Sequence, residues 1–246
     1  LANHQWIPFY VLFLIRMVEG GKLRDVAATA FFLFLNLVTS LYYTLFLIIF
    51  TFLYLGWVLL IQKMRLTKQL MIQSGFAFSM WLVLSLPFLL SLLRASIQER
   101  YLYPSIDETA IFSTDLLAWG IPSVLHSLWG RGMNVIYGNF TGDVAEQTVL
   151  PGYNVWGLAI GGALIWRNRS ALFWTVAAAV FLVLSLGPWL HLAGKETFGG
   201  TRILLPFWYL QSLPGFNTFR TPARTPARHS VIVILCLSVL AAKCIQ

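Results

Sequence analysis

From Val26 to Ile61 the chain runs for 36 residues without a charged side chain. As one helix that run would be ~54 Å long, while a bilayer's hydrocarbon core is roughly 30 Å thick and is crossed by about 20 residues. One crossing therefore cannot hold it. Polar and interfacial residues cluster at Asn36-Leu-Val-Thr39-Ser40-Leu-Tyr42-Tyr43, so the run divides into two helices, about 26–39 and 42–61, joined by a very tight turn. The first of them is too short to reach fully across. Composition agrees with this reading: 58% of the 246 residues are hydrophobic and 11% are charged, against ~25% charged in ordinary soluble domains. A soluble globular enzyme, a disordered tail and a nucleic-acid binder are excluded. The fold class is all-α, a polytopic transmembrane helix bundle.

Further apolar runs extend the bundle to about seven spans, near 6–18, 26–39, 42–61, 69–93, 153–166, 171–192 and 229–246, within a single transmembrane domain. Pro87 lies in the last third of the fourth, where it removes a backbone donor and kinks a helix. Two long segments, 94–152 and 193–228, separate these runs. Within the second, Ile203–Leu213 carries Pro206 and reads as interfacial rather than spanning. Leu82-Val-Leu-Ser85-Leu-Pro87 is echoed at Leu182-Val-Leu-Ser185-Leu-Gly-Pro188, a match that Leu-rich helices also produce by chance.

Residue 1 is Leu, and the last apolar run, Ser230 to Ala242, stops four residues before the end; the chain therefore reads as part of a longer one. The stretch before Trp6 has no basic region of the kind that opens a signal peptide, and no small-residue cleavage site follows Val18. Cys236 and Cys244 are eight residues apart on one helix, ~12 Å along its axis, too far for a disulfide with each other.

The excess of positive charge, +8 overall, sorts by side. Residues 16–25, 62–68, 167–170 and Lys243 fall on one face and hold nine basic residues against two acids, a net of +7. The long segments 94–152 and 193–228 fall on the other, with eight basic residues and seven acids, a net of +1. Short basic loops set orientation, so the first face is cytoplasmic and the two long loops are extracytoplasmic.

Chemistry concentrates in those loops. The histidines at 4, 126, 191 and 229 have no zinc-ligand spacing, and neither a phosphate-binding loop, a dinucleotide fingerprint nor a nucleophile elbow is present. Around Asp115, the sequence Ser113-Thr-Asp115 continues through Trp119, Pro122 and His126 to Trp129. A carboxylate, an imidazole and indole faces suit a sugar site at the membrane surface. The same residues also suit an interfacial helix capped by Ser113 or Thr114, with Asp115 favouring the helix dipole. Glu146, ahead of Pro151-Gly152-Tyr153, is a second acid for that site or an exposed loop carboxylate. Arg220, Arg224 and Arg228 recur at a spacing of four, in a duplicated Thr-Pro-Ala-Arg, directly before the final helix. Guanidinium forks before a helix N-terminus suit a phosphate; anchoring to lipid headgroups is the other use of such arginines.

Taken in order, these segments resemble bacterial membrane proteins of the GT-C superfamily, the polytopic glycosyltransferases that take sugar from a polyprenyl-phosphate donor. The likeness rests on His4-Gln-Trp6-Ile-Pro8, Tyr42-Tyr43, the Ser113…Asp115…Pro122…His126…Trp129 block, Glu146…Gly152-Tyr153, Ser185-Leu-Gly187-Pro188, and Leu213-Pro-Gly215-Phe216…Arg220-Thr-Pro222-Ala-Arg224. It implies transfer of a sugar from a lipid phosphate to an extracytoplasmic acceptor. Arg220, Arg224 and Arg228 would meet the phosphate, and the Trp119–Trp129 region the sugar. The family's catalytic acid lies in the first extracytoplasmic loop, which the chain as it stands would begin after, so no catalytic residue is assigned. The duplicated Thr-Pro-Ala-Arg departs from the usual single copy and leaves two candidate arginine pairs. Some relatives use a divalent cation; no metal ligands are assigned here. The alternative class is a non-catalytic membrane protein, either a lipid or polymer transporter or a structural subunit of a membrane complex.

Overall fold

The structure, a computed structural model, describes residues 4–98, 105–212 and 224–245, with 95–98 described by backbone alone. Arg220 lies outside the described residues. The chain forms two compact units, Leu1–Tyr101 and Leu102–Gln246. Among the described residues the regular structure is helical, with three isolated β-bridges and no strand.

Unit 1 contains α1 (Trp6–Val18), α2 (Leu23–Thr39), α3 (Leu41–Leu60) and α4 (Lys68–Gln98). α1 ends where Gly20 adopts φ +92° and the Gly21 N–H returns to the Arg16 carbonyl at 2.8 Å, closing the last turn. α2 starts with Asp25 accepting the Lys22 backbone N–H at 2.8 Å. The uncharged run divides at Ser40, the one residue between α2 and α3. There the Thr39 hydroxyl donates to the carbonyls of Leu35 and Asn36, and the Asn36 carbonyl also accepts the Ser40 N–H at 2.7 Å, so side chain and backbone close the last turn of α2 together. Tyr10 and Thr51 meet through their hydroxyls at 2.6 Å, and the His4 and Tyr43 rings through an edge contact at 4.7 Å. α1 and α3 therefore run in the same direction. Ile7, Leu14, Phe46, Leu47 and Phe50 form the core between them. α4 packs chiefly on α2 and continues through Pro87 to Gln98.

Unit 2 contains α5 (Ile106–Ile111), α6 (Gly130–Tyr137), α7 (Tyr153–Ile165), α8 (Arg169–Ser185), α9 (Pro206–Gln211) and α10 (Ser230–Ile245). α7 and α8 both pack on α10. The α7–α10 approach is so close that a Cβ at Gly162 would overlap the Leu240 carbonyl. α8 begins at the Asn168 side chain, which accepts the Ala171 N–H at 2.9 Å. The apolar run beyond it is expected to stay helical to Leu192, but α8 ends at Ser185. Gly187 turns to φ +82° and Pro188 has no N–H to continue the ladder, so Trp189–Leu205 leaves as a doubled-back excursion with a Trp189–Leu204 bridge.

Among the described residues, three helical stretches are long and apolar enough to cross a membrane: Leu41–Leu60, Lys68–Arg94 and Pro226–Ile245. Trp6–Val18, Tyr153–Ile165 and Arg169–Ser185 are apolar and shorter.

Candidate functional site

The segment Ser113–Leu117 is the hub of unit 2. The Thr114 N–H and hydroxyl both donate to the Ser185 carbonyl at 3.0 Å, and the Leu116 N–H donates to the His191 carbonyl at 2.9 Å. Gln147 holds the same strip from the other side. Its Oε1 accepts the Asp115 N–H at 2.7 Å, and its Nε2 donates to the Ser113 carbonyl at 2.9 Å.

The Asp115 carboxylate is buried at 1% exposure. Oδ1 accepts the N–H groups of Leu117 at 2.8 Å and Ala193 at 3.0 Å, and Oδ2 accepts that of Gly194 at 2.8 Å. Asp115, rather than Ser113 or Thr114, thus caps the 3-10 turn Leu116–Trp119. The Ser113 hydroxyl instead donates back to the Thr109 carbonyl, because the preceding helix α5 places that acceptor one turn away. With three backbone donors converging on it, the carboxylate is a brace between two loops. Trp119 is also buried and meets the Trp156 ring edge-on at 6.5 Å.

His126 and Trp129 lie elsewhere, on an open groove of about 680 Å³ that is also lined by Pro122, Thr148, Pro151 and Tyr153. The His126 Nδ1 accepts from the N–H groups of Leu128 and Trp129 at 3.2 and 3.3 Å, fixing the ring before α6. Trp129 and Tyr153 are 62% and 60% exposed, and the Tyr153 hydroxyl donates to the Gly120 carbonyl at 3.0 Å. The groove therefore offers aromatic faces beside polar edges.

The two described arginines before α10, Arg224 and Arg228, each meet a carboxylate. Arg224 Nε lies 2.9 Å from Glu108 Oε1, and its guanidinium covers the Phe112 ring at 4.7 Å. Arg228 directs Nε and Nη2 at one oxygen of Glu146, at 3.4 and 3.3 Å, a longer geometry than the paired-fork contacts at roughly 2.7–2.9 Å that guanidinium makes with its strongest partners. Burial holds the Glu146 carboxyl above its ordinary value, opposed by Arg228 and assisted by Asp143. Glu146 is two residues from Thr148 on the groove wall, so their Cα atoms are at most about 7 Å apart.

A third cluster escaped sequence reasoning. His191 is buried; its Nδ1 meets the Thr141 hydroxyl at 3.0 Å and lies 3.9 Å from Glu196. Arg202 joins Glu196 at 3.4 Å and Asp107 at 3.6 Å, and its guanidinium covers the Trp189 ring at 4.0 Å. Burial lowers the His191 pKa, against Glu196 and Asp115, which raise it, while Arg202 lowers it further. The near-cancellation of charge in the long segments was the one signal of such mutual pairing. Among the described residues no group of three or more His, Cys, Asp or Glu side chains forms a metal set.

Compared with family models, curated proteins and solved structures, the chain matches none.

Proposed function

We propose that this chain is part of a GT-C-like integral membrane glycosyltransferase and forms the side of its site that binds a polyprenyl-phosphate sugar donor. In this reading seven apolar helices span a bacterial inner membrane and the long segments 94–152 and 193–228 face the extracytoplasmic side. The observation that carries it is the pairing of Arg228 with Glu146, two residues before Thr148 on the wall of the groove that His126, Trp129 and Tyr153 also line. A phosphate offers Arg228 several oxygens, whereas the desolvated Glu146 carboxylate takes both guanidinium contacts on one oxygen at long range. The donor phosphate would displace that contact, and Glu146 would then hold a proton more readily. Trp129 and Tyr153 would stack on the sugar, and Arg228 with Arg224 would stabilise charge on the departing lipid phosphate. The reading assigns no catalytic base to this chain and requires no metal from it.

A second reading has its own support. Asp115 is saturated by backbone donors, and Arg224 is held by Glu108 and Phe112, which is what a non-catalytic membrane subunit or transporter would do with these residues.

Binding of a short-chain polyprenyl-phosphate sugar to the full chain in detergent separates the two. Under the first reading, Arg228→Gln weakens binding about tenfold, on the scale of one lost charged hydrogen-bond pair, and Trp129→Ala weakens it as well, with the unfolding midpoint little changed. Lowered midpoints with donor affinity retained would favour the structural reading.

A further inference from the structure

Unit 1 holds two features that the donor site does not use, and both lie in the same half of its helix bundle. The first is a crown of cations. Arg16, Lys22 and Arg24 surround the α1–α2 turn, and Lys63, Arg65 and Lys68 surround the α3–α4 link; all six are exposed. The Gln73 side chain donates to the Gly21 carbonyl at 2.9 Å, tying the first turns of α4 to the α1–α2 turn, so the six charges share one end. Their acidic neighbours are Glu19 and Asp25, and among the described residues the one ion pair they form is Arg24 to Asp25, at 4.0 Å. The arginines 202, 224 and 228 of unit 2, by contrast, are each engaged by carboxylates. Exposed Leu23, Leu60 and Leu66 stand among the cations, the interleaving of apolar and basic side chains that suits a membrane boundary.

The second feature is an apolar cleft of about 190 Å³ between the helices, with walls that include Met17, Ala30, Leu55, Ala77, Phe78 and Trp81. Met17 adjoins Arg16 in sequence. Ser74, also on the wall, is six residues beyond Lys68, ~9 Å along α4. The cleft thus begins about one lipid headgroup below the cations. Phe52 and Phe78, which line it, are 72% and 59% exposed, so its mouth opens sideways from the unit.

We propose that this half of unit 1 binds one anionic phospholipid, its headgroup phosphate among the cations and one acyl chain in the cleft. An acyl chain gains little by moving from other chains into an apolar cleft, because lipid is already an apolar solvent. Selectivity therefore comes from charge: a net-negative headgroup is retained, and a zwitterionic one, which carries its own cation, is not. The site is separate from the donor groove and does not depend on that reading.

The test is native mass spectrometry of the full chain released from nanodiscs of equal phosphatidylglycerol and phosphatidylcholine. Phosphatidylglycerol should be retained at least about tenfold over phosphatidylcholine, given roughly 1 kcal/mol per nearby basic residue. The variant Arg16→Gln/Lys22→Gln/Lys68→Gln should lose that preference while keeping its helical circular dichroism. Ala77→Phe, which fills the cleft, should shorten retention of phosphatidylglycerol severalfold, and added inorganic phosphate should not displace it. Equal retention of the two lipids by the native chain, a preference that survives the charge variant, retention unchanged in Ala77→Phe, or release by phosphate alone would each overturn the site. Arg228→Gln should leave the preference intact, so failure here is distinguishable from failure of the donor reading.

Discussion

The backbone N–H of Gly194 donates to Oδ2 of Asp115 at 2.8 Å, across 79 positions of chain. With the Ala193 N–H on Oδ1, it fastens the tip of the Trp189–Leu205 excursion to the segment that also anchors on Ser185, His191 and Gln147. One carboxylate thereby fixes the relative placement of the Ser113–Leu117 and Leu192–Lys195 loops.

Replacing Asp115 should damage folding rather than donor recognition. Asp115→Ala leaves three backbone N–H groups without their acceptor, and Asp115→Asn supplies one acceptor oxygen and turns an NH₂ toward the remaining donors. Both should cost about 3 kcal/mol or more, seen as a lowered unfolding midpoint of the full chain in detergent. A midpoint unchanged in Asp115→Asn would refute the bracing role.

The turn that presents those donors should show an asymmetric response. Leu192 and Lys195 exchange both backbone hydrogen bonds at 3.0 Å across Ala193 and Gly194, whose φ angles are +51° and +79°, a two-residue hairpin of the primed type. A Cβ at Gly194 would overlap the Asn139 carbonyl. Gly194→Ala should therefore destabilise by more than about 2 kcal/mol. Ala193→Gly should stay within about 1 kcal/mol of the native chain, because relief of the left-handed backbone opposes added freedom in the unfolded state. Unfolding midpoints of the two variants measure the difference.

His191 and Glu146 should tilt the pH dependence of stability in opposite senses. His191 titrates below its ordinary 6.5 in the folded chain. Between that lowered value and 6.5 the unfolded chain binds more protons, so stability falls as pH drops through this window. Glu146 titrates above its ordinary 4.5. Above 4.5 the folded chain keeps a proton that the unfolded chain has released, so stability falls as pH rises through its window. His191→Gln, which can still pair with Thr141, should flatten the loss of stability on acidification below about pH 6.5. An unaltered pH profile in that variant would show that the imidazole is not the group titrating.

The α2–α3 hairpin predicts opposite exposure of its two ends in a membrane. With Cys236 and Cys244 replaced by Ser, Ser40→Cys and Lys63→Cys should react with a membrane-impermeant thiol reagent from opposite sides, Ser40→Cys from the extracytoplasmic side. Reaction of both from one side would overturn the hairpin as a membrane element.

Much of the helical pattern was legible in the sequence because its causes are local. The charged stretches at 16–25 and 167–170 and the Thr39-Ser40 interruption each act within one or two turns of the residues they affect. The end of α8 was misplaced because hydropathy runs on through Leu186, Trp189 and Leu190, while Gly187 and Pro188 decide the backbone. In the candidate site, the sequence located His126, Trp129, Glu146, Arg224 and Arg228 in the loops but could not pair them. It passed over Gln147, His191, Glu196 and Arg202, whose partners lie far along the chain.

The amino-acid sequence by itself determined that this chain is a set of apolar helices with its polar chemistry gathered in two long loops. An uncharged run of 36 residues must pair its backbone polar groups internally when away from water, and without the apolar–polar alternation of a barrel strand it does so by closing them into helices. The tertiary structure alone decided what each polar residue does. Asp115, which the sequence left open between a site carboxylate and a helix-terminus residue, accepts three backbone N–H groups, while Arg228 meets one oxygen of Glu146 at 3.3 Å. A carboxylate's role is set by which donors reach it, and for Asp115 two of those donors come from residues 78 and 79 positions away, a distance over which only folding acts.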